Sequence, residues 1–580
     1  MLDKVGVARA LREIGSLLEL EGENPFKVRA YENGARAVEG LAEDLAGLVA
    51  TDRLLEVKGI GEALAKKIAE LHRSGSTELL ERLRAKYPPG TLELLRIADL
   101  GPKKVAALQA ALGIRGIAEL EEACVAGKVR GVKGFGEKTE ARILEGVRRL
   151  RTRAADRRFL LAEALAEAEP LLEYLRASPA ALRVEIAGSA RRMCETVADL
   201  DLVAASQDPA ALSARLVAYP PVSETLARGD TTTTVRLGSE LRTNLHVGPP
   251  EHFVTLLHAF TGAKAHQVKL RGIARERGYT LDAWGLYRLL PPPDPAAKVP
   301  IDGEEALYRA LGLAHVPPEL REDAGELEAA RDGSLPADLV RQEDVRGFVH
   351  CHTTWSDGRA SLEEMARAAE TLGAEYMTVT DHSRSAGYAG GLDLDRLRMQ
   401  WDEIARVQEK VKVRLLRGTE SDVLEDGALD YPDAILEQLD VVVASVHSRM
   451  RMDEEQMTRR LVRCMGLPVF KIWGHALGRL LLHREPFACR VEEVLDALAR
   501  SRGAVEVNGD PRRLELEPRW LRAATARQIS VVLSVDAHSV RDLGYLHWAV
   551  AMARRGWVRR GEVLNARPFE EFRRAVRPAG

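Results

Sequence analysis

Cysteine is scarce in this chain. The five residues are Cys124, Cys194, Cys351, Cys464 and Cys489, an odd number with no CxxC pair. Neither a disulfide framework nor a thiolate zinc ribbon fits that pattern. No apolar run reaches the roughly 18 residues of a membrane-spanning helix, so no membrane partner is expected. A surplus of positive charge is missing too: 84 basic against 87 acidic residues leaves −3. Nucleic acid would therefore have to be held by local basic patches, backbone amides or metal ions. The opening MLDKVGVARALREIG has acidic residues early and no apolar stretch. A signal peptide is not expected, and a cytoplasmic location is.

What the chain has is length and punctuation. At 580 residues it exceeds a single core, so three or more domains are expected. Residues 1 to about 155 read as short helices broken by glycine turns. Near 180 the pattern changes to strands: RVEIAG, DLDLVAA, TTTVRL and ELRTNLHV. Helical periodicity returns over 251–278, and the Pro- and Gly-rich stretches 291–300 and 332–337 read as loops. From 346 onward GFVHCHTT, YMTVTDH, VRLLRGTE, DVVVASVH, VFKIWGH, AVEVNG and ISVVLSVDAH alternate with amphipathic helices. That is the β-α rhythm of a parallel barrel. The basic run Arg148, Arg149, Arg151, Arg153, Arg157 and Arg158 reads equally well as a solvated helix face or a DNA contact.

One element recurs in the first part. LLEVKGIGEALAKKI (54–68), LRIADLGPKKVAAL (95–108) and VRGVKGFGEKTEARI (129–143) each set a tight turn before a helix, through Gly59 and Gly61, Gly101, and Gly134 and Gly136. It resembles the helix-hairpin-helix element, in which glycine lets the backbone approach a phosphate and amides of the next helix point at it. Such contacts position DNA without reading its sequence.

Two stretches carry candidate chemistry. In AGSARRMCETVADLDLV (187–203), Gly188 and Ser189 follow a strand and open a helix, a geometry suited to a triphosphate, and Arg192 adds a cation. Asp199 and Asp201 stand two apart on the next strand, so their carboxylates share a face and can hold one metal pair. In the last part, His350 and His352, Asp381 and His382, Glu420, His447, His475, and Asp536 and His538 close six of the apolar strands, and Asp357 follows the first. Imidazole and carboxylate without thiolate suit Mn²⁺, Zn²⁺ or Fe²⁺. Asp381 is a candidate for orienting its neighbour, and Arg479 and Arg512 could hold a substrate phosphate or form structural ion pairs.

Together these motifs resemble the bacterial family X DNA polymerases fused to a C-terminal polymerase-and-histidinol-phosphatase (PHP) phosphoesterase domain. The resemblance implies a multidomain α+β and α/β fold: a helical helix-hairpin-helix N-terminal region, a nucleotidyltransferase palm with thumb, and a distorted (β/α)7 PHP barrel. Its expected divisions are 1–90 (DNA-end binding), 91–155 (fingers-like), 156–250 (palm), 251–325 (thumb), 326–345 (linker) and 346–580 (PHP). It places Gly188, Ser189 and Arg192 on the incoming triphosphate and Asp199 and Asp201 on two Mg²⁺ or Mn²⁺ ions. FTGAKAHQVKLRGIARERGYTLDAWGL (260–286) resembles the thumb: Phe260, Thr261 and Gly262 would lie along the nucleotide sugar, with Arg271 towards the template. Ala259 stands where a tyrosine is usual, and Lys67 falls at the position of the family's Schiff-base lysine. The PHP pattern implies up to three Mn²⁺ or Zn²⁺ ions held by His350, His352, Asp357, His382, Glu420, His447, His475, Asp536 and His538.

The reaction so implied is gap-filling nucleotidyl transfer combined with 3′→5′ exonuclease action. The expected partners are dNTP and gapped, nicked or recessed DNA, bound by a monomer. One departure stands out: the family's third palm aspartate is Asn244 here, in ThrAsnLeuHis. Asparagine keeps a carbonyl ligand but loses the charge and the basicity, so synthesis is expected to weaken or to rely on Mn²⁺. Glu240 would lie about 13 Å away along the same strand face, too far to replace it. Two other readings are a DNA-binding PHP nuclease with an inactive palm and a small-molecule phosphatase of the histidinol-phosphate type.

Overall fold

The computed structural model describes residues 2, 4–39, 45–57, 59–87, 90–95, 97, 100–155, 157–289 and 297–577. They form two compact units, Met1–Arg157 and Arg158–Gly580. The side chains of Arg148, Arg149, Arg151 and Arg153, and residues 291–296 of the proline-rich stretch, lie outside the described residues. Arg158 is committed locally: its guanidinium donates to Thr196 Oγ1 at 2.7 Å and to the Thr196 carbonyl at 2.6 Å.

The first unit is helical among its described residues, around one apolar core that includes Leu11, Ile14, Ile68, Leu71, Leu108 and Ile143. The three sequence repeats fold alike. In each, an amide closes a turn onto the carbonyl three residues earlier: Ile60 to Val57, Leu100 to Ile97 and Phe135 to Val132, at 3.0–3.1 Å. In each, a glycine then starts the helix: Gly61 before Glu62–Ser74, Gly101 before Pro102–Leu112 and Gly136 before Glu137–Ala155. Gly59 and Gly134 have φ of +95° and +92°, which a side chain would resist.

The second unit begins with an open sheet of β1 (Arg183–Ile186), β2 (Asp199–Ala205), β3 (Val222–Arg228), β4 (Thr232–Leu237) and β5 (Arg242–Gly248), in the order β1-β2-β5-β4-β3. β2 and β5 run parallel, with Asp199 opposite Arg242 and Asp201 opposite Asn244. Burial along β4 alternates residue by residue, as its TTTVRL pattern requires of a strand with one face covered. Glu240 is not on a strand. It sits in the turn before β5, at φ +75° and 3.7 Å from Arg236.

Seven parallel strands then close a barrel: β6 (Gly347–Cys351), β7 (Tyr376–Val379), β8 (Arg414–Asp422), β9 (Val441–Ser445), β10 (Lys471–Trp473), β11 (Gly503–Asn508) and β12 (Ser530–Ala537). Helices cover the outside, so nearly every strand residue is buried, and the strands read as apolar runs rather than alternations. The core of the open sheet and that of the barrel form one continuous apolar cluster. Closure between β6 and β12 is irregular, with a register shift between Val349 and Cys351. Buried Asn565 bridges this junction: it donates to the Gly347 and Leu533 carbonyls at 3.0 and 2.8 Å and accepts from the Leu533 amide at 2.9 Å. Asn565→Ala removes three buried bonds of about 1 kcal/mol each. We expect it to lower the stability of this unit by about 3 kcal/mol in denaturant titrations followed by circular dichroism.

Candidate functional site

The C-terminal ends of the barrel strands bring together all nine of the clustered histidines and carboxylates named from the sequence. Glu420, 1% exposed near the end of β8, is the hub. Its oxygens lie 2.7 Å from His475 Nε2, 2.9 Å from His382 Nδ1, 3.3 Å from His350 Nε2 and His447 Nε2, and 3.6 Å from His352 Nε2. Asp536 Oδ1 lies 3.3 Å from His352 Nε2 and 3.5 Å from His350 Nε2. Asp357 completes the outer side, 3.3 Å from His538 Nε2 and 3.6 Å from His382 Nε2.

Three overlapping groups have ligand atoms within 4.8 Å of one another: His352, Asp357, His382 and His538; His350, His352 and Asp536; His382, Glu420 and His447. Buried His350 Nε2, both nitrogens of His352, His382 Nδ1 and Glu420 Oε2 have no hydrogen-bond partner. Two imidazole nitrogens, His447 Nε2 and His475 Nε2, face each other at 3.3 Å. Converging lone pairs without hydrogen bonds are what divalent cations require of their donors, so these residues fit the metal ions that the donor types suggest.

The backbone reaches this arrangement by a route that strand alternation does not describe. His350, Asp536 and His475 have φ of +65°, +50° and +22°, a region that side chains other than glycine rarely adopt. The register between β6 and β7 shifts between Phe348 and Cys351. His350 and His352 thus meet at the centre through a bulge, not through the simple period of two.

Several residues that set the site up escape a reading of strand ends. Glu506, fully buried in the middle of β11, accepts from His350 Nδ1 at 2.5 Å, from Ser534 Oγ at 2.6 Å and from the His475 amide. A carboxylate here only accepts, so the His350 proton sits on Nδ1 and Nε2 is left to coordinate. Asp422 does the same for His447, at 3.1 Å from Nδ1. Both had a sequence signal: an acid inside the apolar run AVEVN, and an acid two residues beyond Glu420 on the same strand. Asp381 does not orient an imidazole. It accepts from Thr353, Ser356 and Gln400 and so fixes the loop that carries Asp357.

Arg479 and Arg512 are structural: Arg479 donates to the carbonyls of Arg513 and Leu514, and Arg512 pairs with Asp510. The cation facing the centre is Arg513, 3.5 Å from Asp536 Oδ2, whose Nε and Nη1 lack hydrogen-bond partners.

Electrostatics divide the imidazoles. Burial pushes His382 down, but Glu420 and Asp357 outweigh it and hold its pKa at about 10. Burial, reinforced by His538, takes His352 down to about 3. Burial would raise Glu420, yet His447, His382 and His350 hold it well below the usual carboxylate range.

The open sheet carries the second centre. Asn244 Nδ2 donates to Asp201 Oδ1 at 2.9 Å and to Asp199 Oδ2 at 3.3 Å, and Asn244 Oδ1 accepts from Thr234 at 3.0 Å. Arg242 also holds Asp199. The two carboxylates thus share an amide where a third carboxylate was expected. Gly188 has φ +61°, and a Cβ there would stand 2.3 Å from Asp201 Oδ2, so only glycine fits. Ser189 follows it in the short helix Gly188–Arg191.

Arg192 is engaged by the Thr261 carbonyl at 2.7 Å and by Glu322 at 2.9 Å, and Phe260 stacks on His246 at 3.6 Å. Gly262 packs against Gln267 and His266, and Arg271 is exposed on the helix Lys264–Glu276. In the first unit, Lys67 pairs with Glu70 at 3.1 Å.

Family models match four stretches: a helix-hairpin-helix domain at 4–77, a SAM-like helix-hairpin-helix tandem at 91–149, a DNA polymerase beta thumb at 256–322 and a PHP domain at 349–509. A Bacillus subtilis protein named DNA polymerase/3′-5′ exonuclease PolX is 34% identical over 98% of this chain and 98% of its own length. A probable phosphatase of Thermoanaerobacter sp. is 28% identical over 37% of this chain and 89% of its own. One of Caldanaerobacter subterraneus is 27% identical over 35% of this chain and 80% of its own. Orienting carboxylates of this kind are worth about 10–100-fold in metal affinity. Glu506→Gln is expected to lose metal by that factor when the dialysed protein is titrated with Mn²⁺ and bound metal is counted.

Proposed function

We propose a DNA-end-processing enzyme with two centres from one premise: this chain belongs to the PolX family of DNA polymerase/3′-5′ exonucleases. The observation that carries the reading is the barrel mouth, where nine matching side chains, Glu420 and Asp536 among them, converge with ring nitrogens left unpaired. Mn²⁺ or Zn²⁺ held there by the nine would supply an activated water and neutralise charge building on a phosphodiester.

The protein's own groups do the rest. Glu506 and Asp422 fix the imidazoles of His350 and His447. Asp381 holds the Asp357 loop in place. Arg513, 3.5 Å from Asp536, brings a cation without hydrogen bonds at Nε and Nη1 to the side of the centre where a substrate phosphate would lie. The three hairpin turns, with Gly59, Gly61, Gly101, Gly134 and Gly136, give backbone amides to DNA phosphates.

The division into 1–90, 91–155, 156–250, 251–325, 326–345 and 346–580 follows the same assignment, with gapped, nicked or recessed DNA and dNTP as partners of a cytoplasmic monomer. Gly188, Ser189 and Arg192 would take the triphosphate, with Phe260 and Gly262 beside the sugar. Asp199 and Asp201 would hold Mg²⁺ or Mn²⁺. Lys67, bound to Glu70, is left without a catalytic assignment. The phosphatase relatives match little more than a third of this chain, whereas the polymerase/exonuclease relative matches 98% of it, which speaks against a small-molecule phosphatase.

One observation favours a second reading, a nuclease whose palm binds DNA without synthesis. The Asn244 amide lies across Asp199 and Asp201 where a third negative charge would help to hold metal.

We expect His352→Ala to abolish strand degradation and to leave DNA binding by gel shift intact; undiminished degradation refutes the assignment. Restoring the charge with Asn244→Asp is expected to raise gap filling with Mg²⁺ by about 100-fold or more, as for one general base. A rate that does not move, beside a wild type inactive with Mg²⁺ and Mn²⁺, selects the second reading.

A further inference from the structure

The loops that follow β8 and β9 open onto a groove of about 760 Å³ lined by five arginines, with Glu425 and Asp426 as its two carboxylates. One wall is the helix Glu454–Met465, on which Gln456, Arg459, Arg460 and Arg463 recur at i, i+3, i+4 and i+7 and share a face. The other is the segment after His447, with Arg449 and Arg451.

Buried Arg460 joins this groove to the metal centre. It donates to the Ser448 carbonyl at 3.0 Å, to the Leu424 carbonyl at 2.9 Å and to the Val423 carbonyl. Ser448 follows His447, and Val423 follows Asp422, the carboxylate that orients His447. The floor of the groove is therefore fastened to two of the loops that build the site.

The remaining arginines are exposed. Arg449 pairs with Glu425 at 2.9 Å, Arg463 with Asp426 at 3.4 Å and Arg459 with Glu455 at 2.8 Å. Arg451 makes no ion pair among the described residues. Exposed pairs of this kind are weak and screened by salt, so a polyanion can displace the carboxylates. Beside the metal centre stands Tyr388, 73% exposed, with its ring 6.2 Å from His382 and 6.3 Å from His447, the residue that leads into the groove through Ser448 and Arg449. An exposed aromatic ring beside a phosphodiester site is a stacking face for an unpaired base.

We propose that this groove is the track for a single DNA strand: its backbone lies along Arg449, Arg451, Arg459 and Arg463, its 3′ end enters the metal centre, and Tyr388 stacks a terminal base. The proposal rests on the phosphodiesterase reading of the barrel and deepens it. A groove lined with cations, together with an exposed aromatic face at the metal centre, fits a flexible strand with splayed bases, whereas a duplex keeps its bases stacked on one another.

The test compares full-length wild type with Arg451→Ala/Arg459→Ala, both exposed positions, on oligothymidylates of two and of about twelve nucleotides. Wild type is expected to show a lower KM for the longer strand, with KM rising steeply with salt. In the double variant that length advantage should shrink about 10-fold. The slope of log KM against log salt should fall by about 1.4, or 0.7 for each phosphate that an arginine no longer neutralises. Tyr388→Leu should remove the wild type's preference for a 3′-terminal nucleotide over a 3′-terminal abasic site. An unchanged length advantage and salt slope, in a protein that still degrades the strand, overturns the track. A wild type that degrades neither strand overturns the phosphodiesterase reading, and the track with it.

Discussion

Five imidazoles surround the carboxylate of Glu420 at 2.7–3.6 Å, nearly out of contact with water. An isolated buried carboxylate would be costly, and an imidazole buried beside it with no proton or cation would gain little. The group is held together because charge is balanced within it, by protons on some rings and by metal ions when they bind. That balance needs a rigid frame, since an imidazole that turned outward would leave its neighbours uncompensated. The closed barrel is that frame. It also holds His350 and Asp536 at backbone angles that a freer chain would leave.

The residues around the cluster show how the frame is fixed. Glu506 touches β6, the loop after β10, and β12, through His350, the His475 amide and Ser534. One buried carboxylate thus sets the spacing of three neighbouring parts of the barrel. Asp381 performs a similar task for the Thr353–Ser356 turn, and Asn565 for the junction of the first and last strands. Each is a buried polar residue with its bonds satisfied, which favours a single arrangement over near alternatives.

This division explains what was legible in the sequence. The nine donors could be read because each stands at or just beyond the end of an apolar strand, and fold class followed from the spacing of those strands. The orienting groups were harder to find. Glu506 lies mid-strand, and Asp381 adjoins His382 in sequence yet faces the other way, so adjacency suggested the wrong partner. Arg479 and Arg512 were singled out by charge, whereas Arg513 differs only in pointing inward, a property of backbone direction that composition does not carry. In the palm, strand alternation was enough: Asp199 and Asp201 share a face, and the parallel register alone brings Asn244 between them.

The palm and the barrel answer the same problem, adjacent negative charge, in different ways. The barrel opposes its carboxylates with imidazoles, which can lose protons to admit metal. The palm opposes two carboxylates with the Asn244 amide and the Arg242 guanidinium, and brings one imidazole near them, His246 at 3.7 Å from Asp201 Oδ1. The palm and the barrel are also joined by ion pairs. Glu195, two residues beyond Met193 in the palm loop, takes Arg555 and lies 3.5 Å from Arg479 of the barrel. Arg555 lies 3.5 Å from Glu322, the carboxylate that holds Arg192. A triphosphate that reached Arg192 would have to displace Glu322, and Glu322 would then have Arg555 as its nearest remaining cation. These ion pairs between the palm loop and the barrel side are mostly buried and only partly screened by solvent.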